Sequence, residues 1–141
     1  MKSRLLIFLA LTVISGCATV LPPEQSAYME KVRAFPLEFS MPKTAEHDAW
    51  GRAQTFIGKH SSMKLQTATD FVINTYNPLS ASDIGYNITK TPHGDSIDLS
   101  VEAIGGKDDF HLWASERNDN AHILAWYIES GELPYPKLIS R

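Results

Sequence analysis

The sequence predicts an α+β domain, with a two-layer antiparallel sheet of four to five strands carrying two main helices on one face. Two observations lead there. Several segments between residues 64 and 103 alternate apolar and polar side chains, so their strands bury one face only. Two further segments, one before these strands and one after, repeat apolar residues at helical spacing. The predicted order is strand, helix, three or four strands, helix, with no internal repeat and no low-complexity stretch.

Taken in order, residues 24–34 (EQSAYMEKVRA) suit a short helix of modest amphipathicity. In FPLEFSMP, Phe35, Leu37 and Phe39 alternate with Pro36, Glu38 and Ser40, which is strand periodicity. Pro36 lacks a backbone donor, so this strand belongs at a sheet edge or starts there. The clearest helix is TAEHDAWGRAQTFIGKH. Thr44 can cap it, and Glu46 stands in the first turn, where the dipole favours acid. Ala49, Trp50, Ala53, Phe56 and Ile57 gather in an arc of about 120°, and Asp48 and Arg52 are spaced to pair across one turn.

In MKLQTATDFVINTY, Leu65, Phe71 and Ile73 alternate with Lys64, Gln66, Asp70 and Asn74. Ile84, Tyr86 and Ile88 share one side of the next strand, and Pro92 and Gly94 mark a turn. Ile97, Leu99, Val101 and Ala103 then alternate with Ser96, Asp98, Ser100 and Glu102, and Gly105-Gly106 opens another turn. DFHLW reads as a further short strand. The last helix is about NAHILAWYIESG, capped by Asn118 or Asp119 and ended by Gly131, with Pro134 preventing a restart.

The chain opens MKSRLLIFLALTVISGC. Lys2 and Arg4 precede an apolar run from Leu5 to Ile14, and small Ser15 and Gly16 follow. This order is that of a secretory signal peptide. A membrane-spanning helix needs about 20 apolar residues, and this run is shorter. The quartet Ile14-Ser15-Gly16-Cys17 resembles a lipobox, the processing site of bacterial lipoproteins. The resemblance covers the first seventeen residues and implies cleavage before Cys17, a diacylglycerol on its sulfur and an acylated amine. Ala18 in second place implies export to the outer membrane of a Gram-negative cell, on its periplasmic side. One acyl chain binds a membrane marginally, and several hold it firmly. The competing reading is an ordinary cleaved signal followed by an unpaired thiol, an awkward arrangement in an oxidising compartment.

The expected organisation is therefore a signal peptide over 1–16, a lipid-anchored tether over 17–23 containing Pro22 and Pro23, and one domain over 24–141. Lys2 and Arg4 leave with the signal, so 13 basic residues fall to 11 against 16 acidic ones, a net charge of −5. Such a surface offers no basic patch for nucleic acid. Cys17 is the sole cysteine, so once it is acylated packing alone must hold the domain. Beyond the leader, the chain is similar only to small bacterial lipoprotein domains of no assigned activity.

No catalytic motif, GxSxG included, and no glycine-rich phosphate loop stands in the chain, and neither cofactor nor metal is expected. Asp108, Asp109, His111 and His122 are ligand types, but they lack the tight repeated spacing of a zinc site. His93 precedes Ser96 and Ser100 on the polar side of a strand, so a serine–histidine pair can be drawn there. His47 and Asp48, adjacent on a helix, point about 100° apart and cannot form a dyad. The sequence therefore points to a membrane-anchored, non-catalytic binding or structural module with a protein partner in the envelope. The alternative is a membrane-tethered, hydrolase-like enzyme using His93 or His111. The candidate partner contact is Trp126, which falls in the polar stripe of the last helix between His122 and Glu129. Either the tail LPYPKLI folds back over that indole, or Trp126 anchors a partner.

Overall fold

The computed structural model describes residues 20–106 and 114–140. It is an α+β domain, with three α-helices and a five-stranded antiparallel sheet among those residues. The first helix, α1 (Pro23–Ala34), starts one residue earlier than expected, with Pro22 at its N-cap and Pro23 at the first helical position. A proline costs nothing there, because that N–H has no intrahelical partner. Strand β1 (Glu38–Pro42) follows, then a 3-10 turn over Lys43–Ala45 and helix α2 (Glu46–His60). Strands β2 (Leu65–Ala68), β3 (Val72–Thr75), β4 (Ile84–His93) and β5 (Ser96–Gly105) form a meander. Helix α3 (Ala114–Ser130) closes the domain, and a last 3-10 turn spans Pro136–Leu138.

The sheet order is β1-β5-β4-β3-β2, so β1 and β2 are the edges. Pairing of Ile88 with Val101 and of Lys90 with Leu99 fixes the central register. One sheet face buries Ile73, Ile84, Tyr86, Ile88, Ile97, Leu99 and Val101, together with Ala49, Phe56 and Ile57 of α2 and Ile123, Leu124, Ala125 and Ile128 of α3. All five apolar residues predicted for α2 are buried. The other face presents Ser40 opposite Asp98, Thr89 opposite Ser100 and Asn87 opposite Glu102. Helix α1 lies against α3 and puts Tyr28, Met29 and Val32 into the core.

Three local expectations ahead of α3 are corrected. The segment 63–76 is a hairpin, not one alternating strand. The Thr69 hydroxyl accepts the backbone N–H of Phe71 (3.2 Å) and of Val72 (3.0 Å), so a threonine side chain builds the turn. The reversal leaves Phe71 and Leu65 on the surface. Thr44 does not cap α2, because the 3-10 turn contains it and Ala45 takes the N-cap place. Arg52 does not turn back to Asp48. It crosses to the end of α3, where Nε donates to the Ile128 carbonyl (2.8 Å) and Nη2 to the Glu129 carbonyl (3.2 Å). The last carbonyls of a helix have no intrahelical partner and carry its negative dipole end, so a guanidinium from the neighbouring helix satisfies both.

Helix α3 begins at Ala114, ahead of the caps expected at Asn118 or Asp119. Asp119 instead receives a two-pronged bond from Arg33 of α1 (2.7 and 2.6 Å). Asn120 is fully buried and fastens the tail. Its amide donates to the Tyr86 hydroxyl (3.0 Å) and the Ser140 carbonyl (2.8 Å), and its oxygen accepts the Ser140 N–H (3.0 Å). Gly131 ends α3 as expected, with φ at +77°, a value glycine adopts without cost. The strand expected in DFHLW lies outside the described residues.

Candidate functional site

Strand parity carries a charge into the core. Ile84, Tyr86 and Ile88 face the helices, and the next residue of that parity is Lys90. Its side chain is 4% exposed. An isolated buried ammonium is costly, so it must be compensated. Two groups of α2 do this: Glu46 takes Nζ at 2.5 Å, and the Trp50 ring lies with its centroid 4.6 Å from Nζ. The Trp50 indole N–H in turn donates to the Thr69 carbonyl at 3.0 Å, tying α2 to the hairpin turn.

These residues form the floor of a groove of about 630 Å³ between α2, the β2–β3 turn and the end of β4. Lys43, His47, Gly51 and Gln54 line one side, and Asp70 and Phe71 the other. Phe71 is 54% exposed, an apolar lip above a charged floor. The Lys90 hydrogen bond, with help from its charge and that of Lys43, holds the Glu46 carboxyl below its ordinary value of 4.5 despite partial burial. A carboxylate so depressed gives stability that is present above that ordinary value and lost as pH falls through the folded value. Glu46→Gln should therefore be less stable than wild type near neutrality, with the difference shrinking in acid. Urea midpoints over a pH series measure it, and a difference that does not change with pH would show that the pair contributes nothing.

The sequence-derived candidates lie elsewhere. His93 Nδ1 stands 3.4 Å from Asp98, whose other oxygen accepts the Ser40 hydroxyl. Ser40, and His93 more weakly, hold the Asp98 carboxyl below its ordinary value. A hydrolytic triad needs the imidazole between hydroxyl and carboxylate. Here the carboxylate is in the middle, and the Ser96 hydroxyl bonds the His93 backbone carbonyl (2.9 Å). Neither hydroxyl meets the ring. Asp108, Asp109, His111 and Cys17 lie outside the described residues. Among those described, no group of three His, Cys, Asp or Glu residues gathers to hold a metal, and no helix is long and apolar enough to cross a membrane.

Phe35 brings two of the three α3 candidates together. Its carbonyl meets His122 Nδ1 at 2.8 Å, and its ring meets the Trp126 ring edge-on, centroids 5.5 Å apart. Lys31 Nζ sits 4.2 Å from the centroid of the same indole. Trp126 is half-buried, and its indole N–H is buried with no hydrogen-bond partner. Tyr135 of the tail meets Tyr28 of α1 (5.4 Å). Glu129, one turn further along α3, is exposed. Sequence reasoning missed the α2 groove, although the parity of β4 carried to Lys90, together with Glu46 in a helical first turn, held the signal. Comparison with protein-family models, curated proteins and solved structures finds no match, so the groove is interpreted from its own chemistry.

Proposed function

We propose that this chain is a bacterial lipoprotein, held through lipid on Cys17 to the periplasmic side of the outer membrane, and that it works as a non-catalytic binding module. The observation that carries the binding role is the groove along α2. It joins an exposed aromatic lip to a buried Lys90 side chain already paired with the half-buried Glu46, so a ligand can enter without an unpaired charge beneath it. The partner is a protein of the envelope, for which an acidic surface without a basic stripe is suited and nucleic acid is not. The Trp126, His122 and Glu129 side of α3 is a second, smaller contact region in this reading.

The anchor is tested by Cys17→Ser in a Gram-negative host fed labelled palmitate. Wild type should take up label and stay with membranes after carbonate washing, and the variant should do neither. Label on the variant, or unchanged membrane retention, would sink the lipoprotein assignment.

A further inference from the structure

We propose that β2 and α2 together receive an extended peptide, which joins the sheet as a sixth strand, and that this segment is apolar at alternate positions and acidic at its ends. The proposal rests on the groove reading above and names the chemistry of its occupant.

The two edges of the sheet are not equivalent. At β1, Pro36 precedes the strand and Pro42 lies within it, and neither can donate to a further ladder. At β2, Leu65–Ala68 contains no proline and, among the described residues, pairs only with β3, so its outward backbone groups offer a template. The strand is short, and its register shifts between Leu65 and Thr67. At about 3.3 Å per residue it can order a segment of about four residues and no more.

The helix beside this edge leaves room. Gln54 lines the main groove and also a second hollow of about 290 Å³ that continues past Gly58 to Leu65. Gly51 and Gly58 of α2 are exposed, and a Cβ placed on either would meet nothing within 4 Å. Apolar surface is concentrated on the same hairpin. Leu65, Phe71, Tyr76 and Leu79 are exposed large hydrophobic residues, and all lie in or just after β2 and β3. Leu65 and Phe71 mark the two ends of the joined hollows.

Charge selects the occupant. Lys90 is neutralised by Glu46, which leaves Lys43 at one end and Lys64 at the other, with Asp70 the one opposing carboxylate on the lining. This cationic excess lies on a chain whose net charge is −3. Acidic residues at both ends of the peptide match it, and basic ends do not.

The test uses the mature protein and a fluorescent peptide of alternating valine and threonine with aspartates at both ends. Saturable binding is expected by anisotropy, with new protection from deuterium exchange at Leu65–Ala68. Lys43→Glu with Lys64→Glu should weaken binding about tenfold, two rim charges each being reversed. Gly58→Leu, checked for an unchanged fold by circular dichroism, should block it. Methylating the peptide nitrogens along one edge should abolish binding, and methylating those along the other edge should leave it intact. Binding indifferent to methylation of either edge would overturn strand addition while leaving the groove as a binding surface. Binding indifferent to Gly58→Leu and to both lysine reversals would overturn the proposal and the groove reading together. A peptide with lysine ends binding as well as the acidic one would overturn the choice of occupant, and no binding by either peptide would overturn the proposal.

Discussion

Trp50→Ala is expected to destabilise the fold by about 3–5 kcal/mol, the range for truncating a buried large aromatic. The residue is 9% exposed, and three contacts converge on it. Its ring body packs in the core, its N–H holds the Thr69 carbonyl, and its face lies beside the Lys90 ammonium. Alanine leaves a cavity, removes the tie between α2 and the hairpin turn, and strips Lys90 of one of its two compensating groups. Trp50→Phe separates these effects, since it keeps most of the apolar area and loses the N–H donor. It should recover more than half of the loss. Denaturant unfolding followed by circular dichroism measures both. An alanine variant within about 1 kcal/mol of wild type would show that this end of α2 does not bear on the core as described.

Phe56→Ala is expected to cost as much, about 3–5 kcal/mol, for a different reason. Phe56 is fully buried where α2, β4 and α3 meet, with its ring edge-on to Tyr86 (5.7 Å between centroids) and 6.2 Å from Tyr127. Tyr86 in turn accepts the Asn120 amide, and burial pushes its hydroxyl up to about 12. A cavity at Phe56 therefore loosens the aromatic ring that the Asn120 clasp of the tail leans on. The variant should lose near-ultraviolet dichroism from tyrosine and expose the tail to proteolysis before the domain melts. A cost below about 2 kcal/mol with the tail still protected would mean the neighbouring side chains collapse into the space.

Periodicity made α2 legible because one helix buries one stripe: Ala49, Trp50, Ala53, Phe56 and Ile57 all face inward. The same logic exposed the inward side of β4 and β5. It fails at residues 63–76 because apolar alternation cannot register a turn made by one threonine hydroxyl: it groups Leu65 and Phe71 with Ile73, and of the three only Ile73 is buried. Arg52 failed for a related reason. Its partners are carbonyls of α3, 76 positions away in sequence, and local spacing shows only Asp48. The groove is illegible as a unit, since its walls come from α2, the β2–β3 turn and β4. Its core pair was half visible in Glu46 at a helix start and in the parity of Lys90. The Trp126 stripe is legible, but its contact with Phe35 is not: the alternation of Phe35 with Leu37 and Phe39 marks a strand and says nothing of a helix 91 positions away.

In the proposed lipid-anchored form, helix α1 lies between the anchor and everything else in the domain, and this has a mechanical consequence. Pro23 comes six residues after Cys17, so tension on a lipid-held chain enters at the first turn of α1. That helix is held to α3 along a side-by-side seam, and its strongest polar fastening, Arg33 to Asp119, sits at the end remote from the pull. Pulling from the near end peels such a seam turn by turn, with Tyr28 and Met29 released before Val32 and Arg33. The force needed is that of one turn at a time, far below what would shear five hydrogen-bonded strands at once. Stretched from the membrane, α1 would pay out as slack, and the sheet and the groove along α2 would keep their shape behind it.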